Sequence, residues 1–234
     1  MNRTSASPKA PESDVRLAAR AILRVTILVA LCVLGGFYGY WYAWLFLGLT
    51  LVVLAVNVTV MRRRNPGLLR ERLKPDRPTK KWDRNFMIAG AIASVAIFVV
   101  APLDFFLIHG RTVPIPFVIV GSVLYLGGNA FIAWTMGENP FLERTVRIQE
   151  ERNQVVITTG PYRLVRHPMY TGFLIASMGW PLVLGSWWAF LPVLALDVAF
   201  VVRTYYEDRT LHDELAGYRN YAQNTRYRLV PGVW

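Results

Sequence analysis

Within GPYRLVRHPMYTG, residues 160–172, two arginines, a histidine, two prolines and two tyrosines fall in thirteen positions. Gly160-Pro161 and His167-Pro168 are turn and breaker dipeptides. A proline holds the residue before it in extended conformations, so Arg166 and His167 cannot simply join a following helix. Cations, an imidazole and phenols fixed together could bind an anionic or adenosine-like ligand. The same residues would equally form the positive flank of an ordinary membrane span with tyrosines at the interface. A second group is RTYYEDR, residues 203–209, where Arg203 and Glu207 stand four apart and share a helix face that Thr210 and Glu214 extend. Alone it reads as well as an ion-paired helix surface as it does a site. Asp197 lies upstream in an apolar run, where an ionisable group must be paired or face a cavity. It is either a functional group or a buried structural hydrogen bond.

The elements that position these residues are membrane helices. No Asp, Glu, Lys or Arg occurs in 25–61, 85–103, 112–137 or 167–196, and one bilayer crossing needs only about 20 apolar residues. Mean hydropathy is +0.32 and charged residues are 18% of the chain, below the quarter or so of soluble domains. The pattern predicts an all-α, polytopic transmembrane helical bundle of five to six spans. They are expected at about 17–37, 41–61, 85–108, 116–135, 169–184 and 187–203, the last continuing as a polar helix toward Leu215. The count is weakest at 169–203, which could be a tilted hairpin. Residues 1–14, rich in Ser, Pro and Ala, read as a disordered tail. Residues 15–136 form a four-span scaffold and 137–234 the chemistry-bearing region. Arg16, Arg20 and Arg24 line one face of the first helix, which reads as a retained span and not a cleaved signal.

The net charge of +11 would suggest nucleic acid in a soluble protein. Here the basic residues sit in loops between spans, so topology accounts for them and no nucleic-acid partner is expected. The 62–84 loop holds ten Lys/Arg against Glu71, Asp76 and Asp83, which places it in the cytoplasm. By alternation the 137–166 segment and both termini are cytoplasmic too. Cys32 alone excludes a disulfide within the chain, and His109, His167 and His212 are too dispersed for a metal-ligand motif. No metal is expected.

The ordered set GPYR-x-x-RHP-x-Y-x-G, then R-x-x-x-E-[ED]-x-x-L, then Y-x-x-Y resembles the isoprenylcysteine carboxyl methyltransferase family, which is related to the membrane phospholipid N-methyltransferases. The resemblance covers about residues 130–234. It implies a cytoplasm-facing pocket for S-adenosyl-L-methionine built without a Rossmann domain. By that resemblance Gln154, Val155, Val156 and Ile157 line the cofactor pocket, with Tyr162, His167, Pro168, Met169, Tyr170 and Glu207 as further cofactor contacts. Arg203 matches the arginine that meets the substrate carboxylate and is the catalytic candidate. Arg166 belongs to the motif without an assigned role, and Asp208 stands where the family commonly has a second Glu. Asp197 has no counterpart among the site residues.

These residue types suit methyl transfer, in which the cofactor carries the reactive group and the protein chiefly positions donor and acceptor. A carboxylate acceptor is ionised at neutral pH and needs no general base, and Arg203 could orient it through a bidentate contact. The expected partners are the lipid bilayer and a lipophilic, prenylcysteine-like acceptor. The compact, basic sequence suits a bacterial inner membrane. A phospholipid amine is the alternative acceptor, though Arg203 would repel a protonated amine. A non-catalytic transporter or assembly protein is the alternative class, as is a sterol-reductase-like enzyme using a nicotinamide cofactor.

Overall fold

The computed structural model describes residues 39–73, 79–107 and 113–234. The tail, the first expected span with its three arginines, Cys32 and His109 lie outside the described residues. Those described form seven α-helices and no strand. They are α1 (Trp41–Arg64), α2 (Pro66–Leu73), α3 (Lys81–Leu107), α4 (Ile115–Glu138), α5 (Pro168–Val183), α6 (Phe190–Glu214) and α7 (Tyr218–Asn224).

Three of them, α1, α3 and α4, are long and apolar enough to cross a membrane. Their outer faces carry bare hydrocarbon: Ile88, Ile92, Val95 and Val99 on α3 are all about half exposed or more. Leu191, Leu194, Val198 and Val202 repeat the pattern on α6. Contiguous apolar faces of this size mark contact with lipid in an integral membrane protein. Arg62, Arg63 and Arg64 end α1, where cations favour the negative end of the helix dipole.

The tightest helix pair is α4 with α5, and small residues make it so. A Cβ on Gly128 would lie 2.4 Å from the Gly172 carbonyl oxygen, and one on Gly179 would lie 2.3 Å from that of Gly121. Gly121 and Gly128 on α4 therefore meet Gly179 and Gly172 on α5 backbone to backbone, in antiparallel order. Apolar surface gains nothing by leaving lipid, so van der Waals fit of this kind is what holds helices together there. The contact fixes the height at which α5 begins, and with it Pro168 and His167.

A second antiparallel pair joins α3 and α6. Phe86 meets Phe200 edge-on at 4.9 Å, and Trp82 stacks on Tyr206 at 5.4 Å. α1 runs parallel to α4, with Phe46 stacked on Tyr125 and Thr50 Oγ1 3.1 Å from the Tyr125 hydroxyl. The turn from α5 to α6 reaches the far ends of the other helices. Tyr40 donates to the Leu184 carbonyl, Ser186 donates to Asp104 at 2.6 Å, and Gly185 turns at φ 68° against the Tyr42 ring. Asp197 is nearly buried and accepts from Ser177 at 2.8 Å, so it has a partner on α5 and no place among the residues lining the cleft described below.

α5 has 16 residues, about 24 Å of rise, shorter than a hydrocarbon core of about 30 Å. α6 begins at Phe190, three residues later than expected from the sequence, because Ser186 and the Trp187–Trp188 pair are used in the turn.

Candidate functional site

The segment from 139 to 167 joins α4 to α5 with little regular structure, and its backbone groups are satisfied by turns and by side chains together. Gln149 Nε2 donates to the Phe141 carbonyl at 2.6 Å, and the Gln149 amide donates to Gln154 Oε1 at 2.8 Å. Asn139 accepts from the Phe141 amide at 2.8 Å and donates to the Tyr162 hydroxyl at 2.6 Å. Arg72 of α2 donates to the Leu142 carbonyl at 3.0 Å and reaches Met169 Sδ at 3.4 Å. Burial, and then the neighbouring Arg144, lower the Arg72 guanidinium to about 10.

Gly160 turns the chain at φ 56°, and a Cβ there would strike Glu138 Cγ at 2.6 Å. Conformation and space both call for glycine. The turn that follows, Gly160–Arg163, buries Tyr162 against Tyr221, whose hydroxyl donates to the Tyr162 carbonyl at 2.8 Å. Tyr162, Leu215, Tyr218 and Tyr221 form a small cluster against which Val156 and Ile157 pack.

Arg166 and Asp208 are the anchor of the whole end. Arg166 Nε and Nη2 grip the two Asp208 oxygens at 2.8 and 3.0 Å, while its Nη1 donates to the Thr225 and Arg226 carbonyls. Asp208 also accepts from Tyr218 at 2.8 Å and Arg228 at 2.8 Å, and lies 3.2 Å from His167 Nε2. It is 1% exposed. Burial alone would raise its carboxyl, but the bonds from His167, Arg166 and Arg228 hold it well below the usual carboxylate range. The 225–229 strand of loop closes over this anchor: the Arg166 and His167 amides donate to the Tyr227 and Arg228 carbonyls.

His167 is thereby fixed with Nε2 toward Asp208 and Nδ1 3.9 Å from Glu207 Oε1. Its ring lies parallel to that of Tyr170, 5.9 Å between centroids, and the Tyr170 hydroxyl donates to Glu207. Arg203 does not use Glu207 as an i,i+4 partner of the kind a plain helix surface would show. Its Nη2 lies 3.0 Å from Asp83 on α3 and donates to the Arg144 carbonyl at 2.6 Å. Phe86 and Tyr170 sit around the guanidinium at 4.5 and 5.5 Å.

One cleft gathers these side chains. Gln154, Val155, Val156, Ile157, Tyr162, His167, Pro168, Met169, Tyr170, Arg203 and Glu207 all border it, so every residue to which the family resemblance gave a cofactor or substrate role lies on its wall, while Asp197 does not. It opens at the end of the bundle where α1 ends and α3 begins, the end that carries the basic 62–84 loop. Sequence reasoning missed Asp208 as the anchor, and Arg166 as its partner. It missed Asp83, which looked like one acid among ten bases. No signal in the sequence links Asp83 to Arg203. For Asp208, the neighbouring motif glutamate was a pointer of sorts.

Residues 116–216 match the model of the phospholipid methyltransferase family. Two protein-S-isoprenylcysteine O-methyltransferases of Arabidopsis thaliana are similar in sequence. Form B is 33% identical and form A 38% identical over 69 residues, each time 30% of this chain and 32% of the relative. The matched stretch thus spans about a third of the length of these curated relatives. From α4 to the end of α6, the elements that supply most of the cleft, the chain matches the phospholipid methyltransferase family, and over a shorter stretch it is similar to these two isoprenylcysteine O-methyltransferases.

Proposed function

We propose that this protein is an S-adenosyl-L-methionine-dependent methyltransferase that methylates the carboxylate of a lipophilic, prenylcysteine-like acceptor. The observation that carries the reading is the convergence of the eleven candidate cofactor and substrate residues on one cleft. The residues fit the methyl donor: Val156, Ile157 and Leu215 offer an apolar wall, while Gln154, His167 and Glu207 offer polar groups for its ribose and amino acid parts. When bound, S-adenosylmethionine supplies a methyl group on a sulfonium; the acceptor oxygen takes it as the carbon–sulfur bond breaks and the electron pair stays on sulfur.

The chain's own residues have divided tasks in this proposal. Glu207, steadied by Tyr170, accepts from the donor's ammonium or hydroxyl groups. His167, locked by Asp208, presents its remaining nitrogen. Arg203 orients the acceptor carboxylate: its Nε is buried and has no protein partner, a donor that a carboxylate oxygen would satisfy. No proton has to move, and positioning supplies the catalysis.

The proposal includes the membrane arrangement. In it α5 and α6 cross as a hairpin, a reading supported by the contacts of their turn with Tyr40 and with Asp104 of α3, and the span expected from the sequence alone at 17–37 would bring the count to six. A cytoplasmic cleft draws its support from the excess of Lys and Arg in the 62–84 segment, by the positive-inside rule. Residues 15–136 act as scaffold and 137–234 carry the cofactor site, in a bacterial inner membrane.

A phospholipid amine as acceptor draws support from the family match over 116–216. It places a cation beside Arg203, a repulsion that the Asp83 and Glu207 carboxylates would have to offset. The test is methyl transfer from labelled S-adenosylmethionine by the detergent-purified protein to N-acetyl-S-farnesylcysteine and, separately, to phosphatidylethanolamine. A base-labile methyl ester on the first is the expected product. Label only on the phospholipid would replace the carboxylate reading with the amine one. Label on neither, with no donor binding, would favour a non-catalytic protein or the nicotinamide enzyme.

A further inference from the structure

Asp83 stands outside the 116–216 region that matches the family, yet it reaches the cleft through Arg203. It belongs to the first turn of α3 and is fully buried. Its Oδ2 accepts from the Thr79 hydroxyl at 2.6 Å and from the Val146 amide at 3.0 Å. Its Oδ1 faces Arg203 Nη2 at 3.0 Å and has no aligned hydrogen bond. One carboxylate therefore ties together the basic loop, the cleft-lining 145–147 segment and the arginine of α6.

The guanidinium is held through Nη2. Nη2 is shared between Asp83 and the Arg144 carbonyl, the rings of Phe86 and Tyr170 flank the plane, and Nε is left without a partner. A buried arginine beside a buried aspartate is close to neutral as a pair, while its uncommitted N–H still gives direction.

We propose that Asp83 is a positioning residue that sets both the aim and the effective charge of Arg203 toward an acceptor carboxylate. This rests on the carboxylate reading above. In that transfer the acceptor oxygen gains a bond to the methyl carbon, the methyl–sulfur bond breaks with its electrons going to sulfur, and the carboxylate loses its charge. A lone cation beside it would stabilise the reactant anion more than the transition state, which tightens binding and slows turnover. Asp83 offsets that cation. Its removal therefore has a signature opposite to that of simple damage, which weakens binding and slows turnover together.

The experiment compares wild type, Asp83→Asn and Asp83→Glu as full-length protein in detergent. It uses calorimetry with S-adenosylhomocysteine, calorimetry with N-acetyl-S-farnesylcysteine in the presence of S-adenosylhomocysteine, and steady-state methyl transfer. Expected for Asp83→Asn are farnesylcysteine affinity tighter by about threefold or more, kcat lower by about tenfold or more, and S-adenosylhomocysteine affinity unchanged. Asp83→Glu keeps the charge but displaces the guanidinium, so kcat falls while the affinity stays near that of wild type. If Asp83→Asn does not fold, Asp83→Glu decides alone: wild-type kcat, or weakened farnesylcysteine binding, overturns the proposal. Asp83→Asn with wild-type constants, or with weaker binding of both ligands, overturns it while the functional reading stands. Wild type that binds neither ligand overturns both.

Discussion

The two ends of this bundle treat the carboxylates between helices in different ways. Toward the far end, Asp104 and Asp197 each meet one serine hydroxyl, from Ser186 and Ser177. At the cleft end, Asp208 collects Arg166, Arg228, Tyr218 and His167, and Asp83 collects Thr79, the Val146 amide and Arg203. One bond between neutral and ionisable partners fastens a helix to its neighbour. A carboxylate ringed by cations instead holds a charged constellation in one geometry, which is what a site for charged ligands requires. The same contrast separates the glycine contacts of α4 and α5, which set heights, from the polar anchor that sets directions.

If the contrast is right, Asp208→Asn has the largest effect. It leaves Arg166 buried without its counter-ion, which costs about 3–5 kcal/mol, and binding of S-adenosylhomocysteine is lost with a clear fall in Tm. Retention of both would remove Asp208 as the anchor of the cleft end. Next in size, Arg203→Ala lowers turnover of a carboxylate acceptor by about a hundredfold, while S-adenosylhomocysteine affinity changes little; collapse of donor binding would contradict the division between Arg203 and Glu207. Glu207→Ala comes third, weakening S-adenosylhomocysteine by about tenfold through loss of a charged acceptor. Calorimetry of the folded variant reads it directly, and an unchanged affinity removes Glu207 from the donor site.

Acid should attack the cleft end through Asp208. Its folded carboxyl is depressed, so the stability it contributes is fully present above its unfolded value of about 4 and is lost as pH falls toward the folded value. Thermal unfolding followed from neutral to acid pH checks this, and the loss below about pH 4 should be smaller in Asp208→Asn. The smallest change is Asp197→Asn, which keeps an acceptor for Ser177 and should cost less than about 1 kcal/mol. A loss of activity at unchanged Tm in that variant would make the far end functional and dissolve the contrast.

Much of this was readable in the residues. The charge-free runs gave α1, α3 and α4 within a few positions, since a helix in lipid must be apolar over its length. The breaker dipeptides at 160–161 and 167–168 marked the turn and the start of α5. The start of α6 was harder, because Trp187 and Trp188 are as compatible with a span as with the turn they make. The 139–167 segment has no periodicity to read, since side chains such as Gln149 and Asn139 satisfy its backbone. Asp83 could not be ranked from sequence, and Asp208 only as a neighbour of the motif glutamate: their importance comes from partners more than sixty and forty residues away.

The central claim, that the cleft is the methyl-donor site, is tested most directly by calorimetric titration of S-adenosylhomocysteine into the detergent-purified protein, with Glu207→Ala alongside. Saturable binding by the wild type, weakened in the variant, is the expected result. No binding by folded wild-type protein, or equal binding by both, would contradict it.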